Sequence, residues 1–136
     1  MMIDENEWEK FRGVPSAPFD ERIYVTLNHK SQIYLNRHTY KLLGSPSHVE
    51  LYMRRTGESI LIAPTTTRTA SSFAVSPKQV GYIILANPFC RHHHIQTSTT
   101  IQFTGIEITN QILKLDLTQT INTEIAFRRP RTSKKL

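Results

Sequence analysis

The chain has 136 residues, 38% of them hydrophobic, and carries seventeen Lys and Arg against eleven Asp and Glu for a net charge of +6. That length suits one domain, or two small interlocked lobes, with a real core. The lone cysteine, Cys90, excludes an intramolecular disulfide and a cysteine-rich zinc site, while the lack of a long apolar run or a basic-then-apolar leader sets the expectation of a cytoplasmic protein with no membrane span.

Residues 1–22 read as an acidic N-terminal arm. Asp4 with Glu7 resembles a capping box, and Trp8 and Phe11 dock a short helix that ends at Gly13. Val25 and Leu27 then alternate with Thr26, and Ile33 and Leu35 with Tyr34, so two short strands each bury one face across the turn Asn28-His29-Lys30-Ser31. Asn36 caps a helix on which Tyr40 and Leu43 share a face, and Gly44 stops it. A strand at 48–53, with Val49, Leu51 and Met53 on one side, and a closing strand at 59–63 complete a first unit, residues 23–64. Residues 65–72 are polar and aperiodic, a surface linker.

The pattern then returns at an offset of fifty residues. Val25 meets Val75, Ser31 meets Gly81, Ile33 meets Ile83 and Leu35 meets Leu85, and the helix at 37–43 lies over 88–94. Asn36 meets Asn87 after a one-residue slip, with Pro88 suited to the first helical position. Residues 99–109 correspond to the strand at 48–53, with Gly105 marking a bulge or bend. Residues 111–117 correspond to the closing strand, with Leu113, Leu115 and Leu117 on one face. A last strand at 121–127, Ile125 and Phe127 inward, ends a second unit, residues 73–127. Two copies cannot build a solenoid or propeller; they pair face to face into one barrel-like body, mainly β with short helices. Duplication and chance likeness between two β-rich halves both stay open. The remaining segment, 128–136, is basic and expected to be a disordered tail.

From Arg22 onward fifteen Lys and Arg stand against five Asp and Glu, a balance that favours polyanions, nucleic acid before anionic lipid. Solubility alone is the competing explanation. Lys30, Arg37, Lys41, Arg54 and Arg55 fall in turns and on the first helix, with Lys78 and Arg91 in related places of the second unit. On one face they would contact phosphates, with Asn28, Gln32, Asn36 and His38 able to read base edges. Arg128, Arg129, Arg131, Lys134 and Lys135 of the tail add phosphate contacts. Tyr24, Tyr34 and Tyr40 either stack on bases or cover the core edge.

Cys90-Arg91-His92-His93-His94 holds good metal ligands, but adjacent helical histidines point about 100° apart and cannot converge on one ion. Cys90 and His94 alone do not make a site, so no metal is expected. The chain has no Gly-x-Ser-x-Gly, no phosphate-cradling glycine loop and no partner for Cys90 as nucleophile, so neither an enzyme nor a cofactor is expected.

VTLNHKSQIYLNRHTYKLLG (25–44) followed by VELYMRRTGESILIAP (49–64) resembles the SpoVT/AbrB-like family of small bacterial transcription regulators and antitoxins. That family has strand, Lys-Gly turn, strand, a short helix ending Leu-Gly, then a hairpin finishing near Arg-Pro. Lys30-Ser31 stands at the turn, Leu42-Leu43-Gly44 at the helix end, and residues 60–64 at the last strand. The weaker second unit, clearest over 73–117, makes the chain similar to the two-unit MraZ arrangement. The resemblance implies a swapped-hairpin β-barrel, open to homo-oligomer formation, that binds duplex DNA through basic loops and helix, with Lys30, Arg37 and Lys41 among the phosphate contacts. The chain departs from the pattern at Ser31 for glycine, Asn36 for proline, Tyr40 for arginine, and Ser47-His48 for Gly-Asp. The alternative expectation is a non-enzymatic protein–protein module, antitoxin-like or an assembly subunit, whose basic tail binds an acidic partner.

Overall fold

Asn28 organises the first hairpin. Its Oδ1 accepts from the backbone N–H of Lys30 at 2.9 Å and of Gln32 at 3.0 Å, while the Ser31 N–H donates to the Asn28 carbonyl at 3.0 Å. Ser31 turns at φ 61°, the left-handed conformation that favours glycine. The Asn28 side chain, by pinning the turn from outside, lets a serine hold it. Five residues later Asn36 stops the strand and starts a helix, accepting from the Thr39 N–H at 3.0 Å. Gly44 at φ 89° ends that helix, with its N–H on the Lys41 carbonyl at 2.9 Å.

The computed structural model describes residues 22–123. Ten strands and two helices follow in order: β1 (Val25–Leu27), β2 (Gln32–Asn36), α1 (Arg37–Leu42), β3 (His48–Met53), β4 (Ser59–Thr65), β5 (Phe73–Pro77), β6 (Gly81–Leu85), α2 (Asn87–His92), β7 (Ile101–Phe103), β8 (Ile106–Thr109), β9 (Ile112–Asp116) and β10 (Thr120–Asn122). All pairings are antiparallel, in the order β10-β7-β1-β2-β6-β5-β3-β4-β9-β8. Near one end lies β7 and at the other β8, yet only Thr104 and Gly105 separate them in the chain. The sheet must therefore curl until its two ends approach, giving a half-barrel. No described helix is long and apolar enough to cross a membrane.

Exchanging β7, β1 and β2 with β3, β5 and β6 leaves the pairings of the central six strands unchanged. β2 and β6 pair across the middle, Ile33 opposite Ile84 and Tyr34 opposite Ile83. β4 pairs with β9, and the contact of β1 with β7 has its counterpart in that of β5 with β3. The two halves thus share one sheet within a single chain. The inward faces meet in one core: Val25 and Leu35, Ile60 and Ile62, Leu113 and Leu115 are all at most 1% exposed. Thr26, outward by alternation, is buried as well, because Tyr34 and Gln102 flank it on its own face.

Three sequence expectations need correction. The helix repeat needs no slip: α2 lies fifty residues from α1, Ala86 occupies the cap without a side-chain bond, and Asn87 is already helical. Pro88 in the first turn, where no N–H is missed, stands in for the cap. Residues 99–109 are not one strand but β7 and β8, broken at Gly105. There the Gln119 carbonyl accepts from the Thr104 N–H at 2.8 Å and the Gly105 carbonyl takes the Asp116 N–H at 2.9 Å, so the hairpin shifts register as it bends. The last strand is shorter on the described side, with Ile121 46% exposed. Ile125 and Phe127, like the N-terminal arm, lie outside the described residues.

At one end of the β2–β6 pairing, opposite Asn36, Gly81 has no room for a side chain. A Cβ there would lie 2.5 Å from the Leu35 carbonyl oxygen and 2.6 Å from the Tyr34 hydroxyl. Gly81→Ala should cost about 1–3 kcal/mol through the forced separation of β2 and β6. Thermal unfolding reads the loss, and an unchanged midpoint would show that the strands do not approach so closely.

Candidate nucleic-acid interface

Each unit lends a hairpin turn to the other unit's helix. The Ser31 carbonyl accepts from the Ala86 N–H at 3.0 Å, which sets the turn carrying Lys30 at the start of α2. Conversely, the Arg37 guanidinium donates to the Gln79 carbonyl at 3.2 Å and the Tyr34 hydroxyl to the Val80 carbonyl at 3.0 Å, so the turn carrying Lys78 lies beside α1. Two basic clusters result, at opposite ends of the β2–β6 pair. Lys30 stands with Arg91, whose guanidinium is held by the Asn87 side chain. Arg37 and Lys41 on α1 stand with Lys78. All five are exposed. Four residue steps of β2 separate the cluster ends, about 13 Å at ~3.3 Å per residue. Lys30 and Arg37 are thus on the same two-strand floor but not in the same cluster.

The charge around this floor is one-sided. The described residues hold ten Lys and Arg against four Asp and Glu. Those four, Glu50, Glu58, Glu107 and Asp116, all belong to β3, β8, β9 or the β3–β4 turn. Residues 22–49 and 59–106 contain none. Among the described residues the one ion pair is Lys114 with Glu107, at 4.0 Å on the carboxylate-bearing side. Asp116 is held below the usual carboxylate range, first by the Thr118 hydroxyl and N–H and more weakly by Lys114 and Arg54. Lys30, Arg37, Lys41, Lys78 and Arg91 make no ion pair with a described carboxylate.

Arg54 and Arg55 do not join these clusters. They sit in the β3–β4 turn, where the Arg54 carbonyl accepts from the Gly57 N–H at 2.7 Å. Across a groove of about 890 Å3 they face His93 and His94 at the end of α2. Burial, with the charges of His92 and His94, holds the His93 imidazole below its usual range. Arg128, Arg129, Arg131, Lys134 and Lys135 lie outside the described residues.

The proposed readers of base edges are mostly committed elsewhere. Asn36 is fully buried, and Asn28 uses its Oδ1 on the turn and its Nδ2 on the Gln32 side chain at 2.9 Å. Only His38 of the four is uncommitted by any described hydrogen bond. The tyrosines behave as core edge: Tyr40 stacks on Tyr82 with ring centroids 3.7 Å apart and donates its hydroxyl to the Pro46 carbonyl at 2.7 Å. Burial, then Tyr82, pushes its phenol upward. Where the resembled family carries an arginine, this chain has an internal stacking residue.

Cys90 faces the core at 1% exposure, and burial raises its thiol, opposed by a Ser31 hydrogen bond. Ellman's reagent at pH 8 should label it about a hundredfold more slowly in the native than in the denatured protein; equal rates would place the thiol at the surface. No described group of three His, Cys, Asp or Glu side chains is arranged to hold a metal ion.

No protein-family model, curated protein or solved structure matches the chain.

Proposed function

We propose that the chain is a cytoplasmic nucleic-acid-binding regulator, an AbrB/MraZ-like swapped-hairpin barrel of two pseudo-repeats that docks on duplex DNA. The observation that carries this reading is that, among the described residues, the stretches 22–49 and 59–106 hold no carboxylate while Lys30, Arg37, Lys41, Lys78 and Arg91 within them are exposed. The two clusters are related by the pseudo-symmetry of the pairing, and their ~13 Å offset corresponds to about four base-pair rises of ~3.4 Å along the duplex axis. Because Asn28 and Asn36 are committed to the fold, recognition rests on phosphates and duplex shape more than on base edges. The mechanism is occupancy: the protein covers a stretch of duplex and excludes other proteins, with no bond made or broken.

Fluorescence anisotropy with a labelled duplex across a salt series tests the reading. Binding should weaken steeply with salt, the log–log slope approaching −0.9 per phosphate neutralised. Salt-insensitive or absent binding, with an acidic protein retained through purification, would replace it by the protein–protein module.

A further inference from the structure

The groove between the β3–β4 turn and the end of α2 lies apart from the two basic clusters, and its chemistry is different. Its two lips come from segments some forty residues apart in the chain, Arg54 and Arg55 on one side and His93 and His94 on the other. The floor is apolar, with Met53, Leu61 and Leu117 beneath. At 890 Å3 its volume falls within the roughly 300–1,000 Å3 of small-molecule sites. Tyr52, a residue 49% exposed, lines the wall, and its hydroxyl donates to the Glu50 carboxylate at 3.0 Å, which holds the ring as a platform.

We propose that this groove binds a small phosphorylated ligand with a flat ring, of the nucleoside mono- or diphosphate class. The flat ring lies against Tyr52 over the apolar floor, and the phosphate is taken by Arg55 with His94 opposite. Of the carboxylates nearby, Asp116 lies close enough to Arg54 to interact with it, and Glu50 is tied to Tyr52. Glu58 is exposed on the same turn, its backbone carbonyl accepting from the Leu117 N–H at 2.7 Å. Arg55 has no described carboxylate partner, and so carries the anion specificity. Both lips are anchored: the Ile95 N–H closes the end of α2 on the Cys90 carbonyl at 2.8 Å, and the Arg54 N–H closes the turn on the Ser59 carbonyl at 2.8 Å. The site thus needs little reorganisation to bind.

This proposal does not depend on the duplex reading, and the test separates them. Full-length ¹⁵N-labelled protein is titrated with AMP, with adenosine and with inorganic phosphate. AMP should shift the amides of Gly57 and Gln96, with a Kd below about 1 mM and tighter than either fragment. Tyr52→Ala and Arg55→Gln, both at exposed positions, should each weaken AMP by about fivefold or more. A Lys30→Gln, Arg37→Gln, Lys41→Gln variant should bind AMP as the parent does. AMP binding no tighter than inorganic phosphate overturns the proposal, as does a loss confined to the triple variant.

Discussion

Asn36→Ala should lower the unfolding free energy by about 2–4 kcal/mol, the largest loss expected from any single surface-to-core polar truncation in the described chain. Asn36 is 0% exposed, and its side chain ties the first turn of α1 to the segment before β1. Its Oδ1 accepts from the Thr39 N–H at 3.0 Å and the Thr39 hydroxyl at 2.5 Å, and its Nδ2 donates to the Arg22 carbonyl at 2.8 Å. The Thr39 hydroxyl in turn accepts from the Tyr24 N–H at 3.0 Å. Alanine removes the helix cap and strands the two buried Thr39 donors and the part-buried Arg22 carbonyl, which costs more than the bonds themselves contribute. Asn36→Asp keeps the acceptor and loses the donor, so it should fall between alanine and wild type. Urea unfolding measures both, and a loss under about 0.5 kcal/mol for alanine would mean the cap is solvated. Because α1 carries Arg37 and Lys41, the alanine variant should also bind duplex more weakly.

Replacing Lys30, Arg37, Lys41, Lys78 and Arg91 together by glutamine should reduce the salt slope of duplex binding by about 3–5 and the affinity by about a hundredfold or more near 0.1 M salt. Stability should change little, since these side chains are exposed and make no described ion pair. An unchanged slope in a variant that still folds would make these charges an ordinary solvated surface. Arg54→Gln with Arg55→Gln should have the smaller effect on duplex, since that turn stands across the groove from α2.

Local structure was legible wherever one side chain decides a backbone conformation. The Asn28 turn, the Asn36 cap, the Gly44 stop and the strand from His48 to Met53 follow from residue chemistry and the period-two pattern. The fifty-residue offset was legible too, and it holds without a slip through the second helix. What periodicity could not show is which strands pair across the units. The lending of each turn to the other unit's helix depends on the β2–β6 register, a contact between residues fifty apart, and so the basic residues divide into two clusters rather than one face. The commitment of Asn28 and Asn36 to the fold was half visible, since asparagine at a turn or cap spends its polar atoms on the backbone. The carboxylate-free stretches 22–49 and 59–106 are visible in the sequence itself. The groove was not legible, because it joins Arg55 to His94 through tertiary structure alone.

In the proposed function the folded sheet, and not the tail, carries the DNA binding. The most direct measurement compares salt slopes for one labelled duplex between two full-length variants. One has Arg128, Arg129, Arg131, Lys134 and Lys135 changed to glutamine, the other Lys30, Arg37, Lys41, Lys78 and Arg91. The first should keep most of the wild-type slope and the second should lose most of it. A slope that vanishes with the tail charges and survives loss of the sheet charges would contradict that reading.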